Sequence, residues 1–64
     1  MQVITTTVNG IKKYIILEYL LPTRKWIASL TKDRDEADQF EDGQAYIKKL
    51  KNIHNHIFTI EEIT

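Results

Sequence analysis

Apolar and polar positions alternate in two runs near the N-terminus, on either side of Asn9-Gly10. An Asn-Gly pair between β-branched runs is typical of a type I′ turn, because both central residues of that turn need positive φ. The pattern therefore predicts a β-hairpin in which Val8 pairs with Ile11.

The same turn divides the predicted hairpin into two unequal faces. The richer face, which we expect to line the core, carries Ile4, Val8, Ile11, Ile15 and Leu17. The lesser face carries three apolar side chains among polar ones, namely Val3, Tyr14 and Ile16. A single helical layer covers only one face of a small sheet, so we expect this lesser face to contact a partner.

The middle of the chain predicts a third strand and then an interrupted helical segment. Pro22 is expected to end the second strand, because proline cannot donate to a ladder. Residues 25–30 alternate as a strand that places Trp26 on the same side as Ala28 and Leu30. Asp33 is then positioned to cap a short helix, with Glu36 at the third helical position as in a capping box. Ala37 and Phe40 fall three apart on one side of that helix.

The C-terminal part predicts a longer helix over residues 44–52 and a fourth strand over residues 56–63. Ile47 and Leu50 fall on the inward side of the helix, and Phe58 and Ile60 alternate with polar residues in the strand. The prediction is an α+β fold of order β-β-β-α-α-β, a small antiparallel sheet with helix packed on one face, as a single domain over residues 1–64.

Size and composition set limits on this domain. A chain of 64 residues buries only about 60% of the surface that its unfolded form exposes, so its stability margin is thin. It has no cysteine, so neither a disulfide nor a thiolate metal site adds stability, whereas a second subunit could. The absence of a leader-like or membrane-spanning apolar run predicts a soluble, cytoplasmic protein.

The chain has no formal net charge, but its acidic and basic residues are unevenly distributed along the sequence. Nine basic and nine acidic side chains argue against a general polyanion binder. Six carboxylates fall within ten residues: Asp33, Asp35, Glu36, Asp38, Glu41 and Asp42. They form either a solvated surface with helix-capping roles or an acidic interaction surface that imitates nucleic-acid phosphates.

Chemistry-bearing residues are few, and we expect no enzyme, cofactor or metal site. His54-Asn55-His56 supplies two imidazoles where zinc needs three or four ligands. Ser29 lies in a predicted strand without the glycine pattern of a nucleophile elbow. The acidic cluster is expected to lie in water, where no carboxyl pKa is usefully perturbed.

Nucleic acid is the alternative partner. Basic side chains and aromatic rings on the sheet could contact phosphates and stack on bases; the candidates are Lys12, Lys13, Arg24, Lys25 and Trp26. The chain has no aromatic RNP-like pattern of the kind that RNA-binding sheets carry.

The segment from Trp26 through Ala37 to Phe40, followed by the Ala45–Leu50 motif and a closing β segment, resembles a loose group of small uncharacterised proteins of Gram-positive bacteria and their phages. The resemblance covers roughly residues 13–61. It implies a phage or prophage origin, where small proteins often bind and alter a host protein, and it supplies no catalytic residues.

These observations lead to one expectation about function. We expect a non-enzymatic protein-interaction module, phage- or prophage-derived, that binds and modulates or inhibits a host or defence protein and forms a homodimer. The expected contact residues are Val3, Tyr14, Ile16 and Trp26.

Overall fold

Four antiparallel strands form one sheet in the computed structural model, which describes residues 1–53 and 56–63. The strands are β1 (Gln2–Val8), β2 (Ile11–Leu20), β3 (Lys25–Thr31) and β4 (Phe58–Glu62). Their order in the sheet is β3-β2-β1-β4. A helix, α1 (Gly43–Ile53), packs against one face, so the protein is a small α+β fold.

The N-terminal hairpin forms as the Asn-Gly pair predicts. Asn9 and Gly10 have φ of 52° and 79°, the left-handed values that a type I′ turn requires. Val8 pairs with Ile11 in the predicted register. The pairing of β1 with β2 ends at Thr5 and Tyr14, and beyond this point the two strands separate.

The chain itself fills the gap between the separated strands. Asp38 donates its backbone N–H to the Ile15 carbonyl of β2 at 3.2 Å. Two residues later, Phe40 exchanges two backbone hydrogen bonds with Gln2 of β1, each 2.7 Å long. Residues 38–40 therefore form a wedge between β1 and β2, which satisfies backbone groups that the split would otherwise leave unpaired.

Helix α1 covers the face on which most of the predicted core residues lie. The buried cluster consists of Ile4, Ile15, Phe40, Ile47, Leu50 and Phe58. Leu17, Ala28, Leu30 and Ile60 pack against it as half-buried neighbours. At the start of the helix the Gln2 side chain accepts a hydrogen bond from the Gly43 N–H at 2.8 Å, which satisfies one of the free donors of the first turn.

Two sequence predictions about this layer need correction. Ile11, assigned to the core, is 45% exposed, because it lies beside the turn at an end of the sheet. The predicted first helix is a single 3-10 turn, Arg34–Glu36, so the described chain contains one α-helix rather than two. The turn stops because Ala37 is already extended, with ψ of 142°, as the chain enters the gap between the strands.

Asp33 does cap this short turn, as predicted, although the partner differs from a capping box. Its carboxylate accepts from the Asp35 N–H at 2.9 Å. Glu36 instead accepts from the Thr31 hydroxyl at 3.0 Å, and that hydroxyl accepts from the Asp33 N–H. The end of β3 therefore holds the turn in place.

Among the helices in residues 1–53 and 56–63, none has both the length and the apolar character needed to cross a membrane.

Candidate interaction surface

The face of the sheet opposite α1, called here the helix-free face, carries the predicted contact residues Val3, Tyr14 and Ile16. Cα partners in neighbouring strands share a face, and the pair Thr5–Tyr14 places both residues on this side. Val3 is nevertheless fully buried, while Tyr14 and Ile16 are half-buried. The expected patch is therefore largely covered within the chain, and Val3 is not available to a partner.

The cover comes from the connection between β3 and the wedge. After Thr31 the chain crosses the helix-free face, and the Arg34 Nε lies 3.5 Å from a carboxylate oxygen of Glu61 on β4. Glu61 is the cross-strand partner of Val3, so the connection passes over that part of the sheet. A second layer, which the sequence pattern did not reveal, thus buries the N-terminal half of the lesser face.

Lys12 also reaches Glu61 on this face through a hydrogen-bonded ion pair. The hydrogen bond raises the pKa of Lys12 above its usual range, and the same bond lowers the pKa of Glu61, with Arg34 adding a smaller effect. Both side chains remain in contact with water, so solvent screens the pair.

Trp26 lies on the other side of the sheet and is half-buried. It pairs with Tyr19, whose ring centroid is 4.9 Å away, and its edge meets Tyr46 of α1 at 6.3 Å. The Lys49 ammonium lies 4.5 Å from the Trp26 ring centroid. Trp26 therefore joins the helix to the sheet and does not share a surface with Tyr14 and Ile16.

The remaining open part of the helix-free face belongs to the end of the β2–β3 hairpin, residues 18–27, called here the arm. β1 does not extend beside the arm, so the arm is a two-stranded ribbon. Glu18 pairs with Ile27 and Leu20 pairs with Lys25, which places all four side chains on the helix-free face.

Three aliphatic side chains lie close together on the helix-free face of the arm and at its base: Leu20 on β2, Ile27 on β3, and Ile16 on β2 just before the arm. We call them the arm patch. Ile27 is 41% exposed and Leu20 is 36% exposed, and Leu21 in the adjoining turn is 74% exposed. Sequence reasoning named Ile16 but missed the other two. The signal for Ile27 is the alternation of residues 25–30, which places it on the side of the strand opposite Trp26, Ala28 and Leu30.

The acidic cluster does not form one surface. Asp33 accepts from the Asp35 N–H of its own turn, and Glu36 accepts from the Thr31 hydroxyl at the end of β3. Asp38 is half-buried in the wedge, where its carboxylate accepts from the Leu17 N–H at 2.6 Å. Glu41 and Asp42 follow the wedge, next to the start of α1. Three of the six carboxylates thus have structural partners.

The basic residues of the nucleic-acid alternative are also divided. Lys12 lies on the helix-free face and is paired with Glu61, whereas Lys13 pairs with Thr6 on the opposite face. Lys25 is on the arm, and Arg24 is in its turn with φ of 55°. The ring of Trp26 already has Lys49 against it. These groups do not converge on one groove.

No group of three or more metal-binding side chains occurs among residues 1–53 and 56–63. Of the predicted histidine pair, His54 lies outside the described residues, as does Asn55. A shallow depression of about 450 Å³ lies beside His56 at the β1–β4 side of the sheet; its lining is Thr6, Thr7, His56, Ile57 and Thr59.

No family model, curated protein or solved structure matches this chain. The resemblance to small phage and Gram-positive proteins therefore stays a prediction from the sequence.

Proposed function

We propose that this chain is a non-enzymatic protein-interaction module whose contact surface is the helix-free face of the arm. The observation that carries the proposal is the arm patch together with Leu21. These side chains are aliphatic, several are more than one-third exposed, and they lie on a ribbon that projects beyond β1. An apolar patch of this kind on a small soluble domain is typical of a protein-binding site.

The proposed contact surface differs from the one that the sequence predicted. Val3 is covered by the β3–wedge connection, and Trp26 is used in packing the helix. Ile16 remains at the border of the new surface. A role in modulating a host or defence protein rests on the sequence resemblance and stays a prediction.

A matched set of variants tests the proposal by affinity capture from cells of the source organism. Leu20→Lys/Ile27→Lys places charge in the arm patch. Ile11→Lys makes the same change at a similarly exposed isoleucine, 45% against 41%, at the other end of β2. We expect wild type and Ile11→Lys to capture the same partner protein, and we expect the double variant not to capture it.

The captured protein would then be purified and its binding to each variant measured. Loss of a central apolar contact to lysine should weaken binding by roughly tenfold or more. Equal binding by all three chains would show that the contact surface lies elsewhere.

A further inference from the structure

The outer edge of β4 presents a regular row of outward-pointing backbone groups. The Ile63 N–H donates to the Met1 carbonyl of β1 at 2.9 Å, so the other odd-numbered residues of β4 also direct their backbone groups to β1. The N–H and C=O groups of Phe58, Ile60 and Glu62 therefore point away from β1. β4 is the last strand on this side of the sheet, so these groups lie at its edge.

The usual protections of an edge strand are missing from β4. Proteins block such edges with proline, with lysine or with a bulge that twists the edge away. Residues Phe58–Glu62 include neither proline nor lysine, and their register with β1 is continuous over the whole strand. An edge of this kind can accept another strand.

We propose that β4 pairs with β4 of a second copy of this chain, antiparallel, around a twofold axis that is perpendicular to the sheet and passes beside Ile60. Ile60 then pairs with Ile60 of the other copy, and Phe58 pairs with Glu62. In this register all three outward-pointing residues of β4 have partners on the other β4, and each such pair exchanges two hydrogen bonds. The two sheets become one continuous sheet.

The same register places an acid of one copy beside a base of the other. Glu62 is exposed and lies on the same side of β4 as Phe58, because the two residues are four apart in a strand. Beside Phe58 is a shallow depression of about 350 Å³, lined by Lys51, His56, Ile57 and Phe58. Glu62 of the second copy, opposite Phe58, comes to this depression and to the Lys51 ammonium. The twofold axis produces this contact twice.

The orientation of α1 supports this placement of Lys51. Lys49 lies against Trp26 of β3, the strand at the other edge of the sheet. Lys51 is two residues further along the helix, which is a rotation of about 200° at 3.6 residues per turn. Lys51 therefore points toward the β4 side of α1.

Glu62 can make this contact without losing its partner within the chain. One oxygen of its carboxylate lies 3.4 Å from the Met1 ammonium, in an exposed pair. A carboxylate has two oxygens, so the second can accept from Lys51 of the other copy.

Apolar side chains meet at the two ends of the paired strands. Ile57 directly precedes β4 and is 85% exposed. The register brings it to the level of Ile63 of the other copy. Pairing therefore removes apolar surface of both residues from water, again twice.

This inference does not depend on the proposed function. The arm belongs to β2 and β3, whereas the pairing edge is β4. An axis perpendicular to the sheet keeps the two helix-free faces on the same side, so each arm patch remains open to its own partner.

Sedimentation velocity of the purified full chain over a wide concentration range tests the pairing. We expect wild type to approach twice the 7.6 kDa chain mass at high concentration. Lys51→Glu and Glu62→Lys should each weaken self-association by roughly tenfold, because both symmetric contacts change from attraction to repulsion. Lys25→Glu makes the same charge change on the arm and should self-associate as wild type does. Circular dichroism checks that each variant keeps its fold.

An equimolar mixture of Lys51→Glu and Glu62→Lys tests the contact directly. In the mixed dimer each of the two contacts again joins an acid and a base. The mixture should therefore recover the association that the separate variants lack. A variant that weakened association by disturbing its own fold would not be rescued in this way.

Hydrogen exchange measured by NMR locates the paired strand. The amides of Thr59 and Glu61 point to β1 and should be protected at every concentration. The amides of Phe58, Ile60 and Glu62 point outward and should become protected only as the chain concentration is raised.

Three results would overturn the inference. The first is a wild type that stays monomeric up to about 1 mM. The second is a dimer in which the outward-pointing amides of β4 remain unprotected. The third is a mixture of the two charge variants that associates no better than either variant alone. Capture of a partner through the arm patch is unaffected by each of these results, so the two proposals fail separately.

Discussion

The carboxylate of Asp38 accepts a hydrogen bond from the backbone N–H of Leu17 at 2.6 Å, and this contact fixes the place where the chain passes between β1 and β2. The Asp38 N–H donates to Ile15 on the same strand. One residue thus replaces the missing strand partner at two positions of β2. The covering of Val3 and the exposure of the arm both follow from where this crossing lies.

Asp38→Ala should destabilise the fold by about 1–3 kcal/mol, since it leaves the half-buried Leu17 N–H without its acceptor. Asp38→Asn keeps a side-chain oxygen at the same position, so it should lose clearly less stability than Asp38→Ala. Urea unfolding of the three chains measures the difference. Equal losses for the two variants would mean that the contact with Leu17 is not what holds the wedge.

Val3→Ala tests whether the lesser hairpin face is core or contact surface. Val3 has no exposed surface, so removing its two methyl groups should cost about 1–3 kcal/mol in the free energy of unfolding. Ile27→Ala is the control, because its side chain is 41% exposed in the monomer. Denaturant unfolding at low protein concentration should show a smaller loss for Ile27→Ala, and the reverse order would contradict the assignment of Val3 to the interior.

Lys49→Ala should alter the environment of Trp26, the single tryptophan of the chain. The Lys49 ammonium lies 4.5 Å from the ring centroid, so its removal exposes the ring to water and should shift the fluorescence emission to longer wavelength. The expected loss of stability is about 0.5–1 kcal/mol. Lys48→Ala changes the neighbouring exposed lysine and should leave the emission where it is; a similar shift in both variants would argue against the contact.

Glu61→Gln should remove a stabilising effect that depends on pH. The hydrogen bond from Lys12 lowers the pKa of Glu61 in the folded chain. The contribution of ionised Glu61 to the free energy of unfolding is therefore complete above the ordinary pKa of 4.5 and is lost as pH falls through the lowered pKa. The pKa of Lys12 is raised in the folded chain, so its pH dependence has the opposite direction. The contribution of charged Lys12 to the free energy of unfolding is complete below the ordinary pKa of 10.5 and is lost as pH rises through the raised pKa.

Thermal unfolding as a function of pH measures this effect. Wild type should be more stable than Glu61→Gln at neutral pH, with the difference small because the pair is exposed, and the two curves should converge in acid. Added salt should narrow the gap at neutral pH. A gap that persists unchanged at low pH would assign the effect to packing and not to charge.

Local sequence was sufficient for the parts of this protein that depend on neighbours along the chain. Asn9-Gly10 determined the turn and its register, because few other dipeptides adopt positive φ twice. The 3.6-residue spacing placed Ile47 and Leu50 on the buried side of α1, and alternation placed Phe58 in the core.

Only the tertiary structure decided which face of the hairpin stays open. The connection after β3 crosses the sheet, and Asp38 and Phe40 enter a gap between strands that lie adjacent in sequence. Such contacts join residues more than twenty positions apart, so the periodicity of apolar residues along the sequence does not predict them. The burial of Val3 and the exposure of Leu20 and Ile27 are therefore consequences of chain path, which alternation alone leaves undetermined.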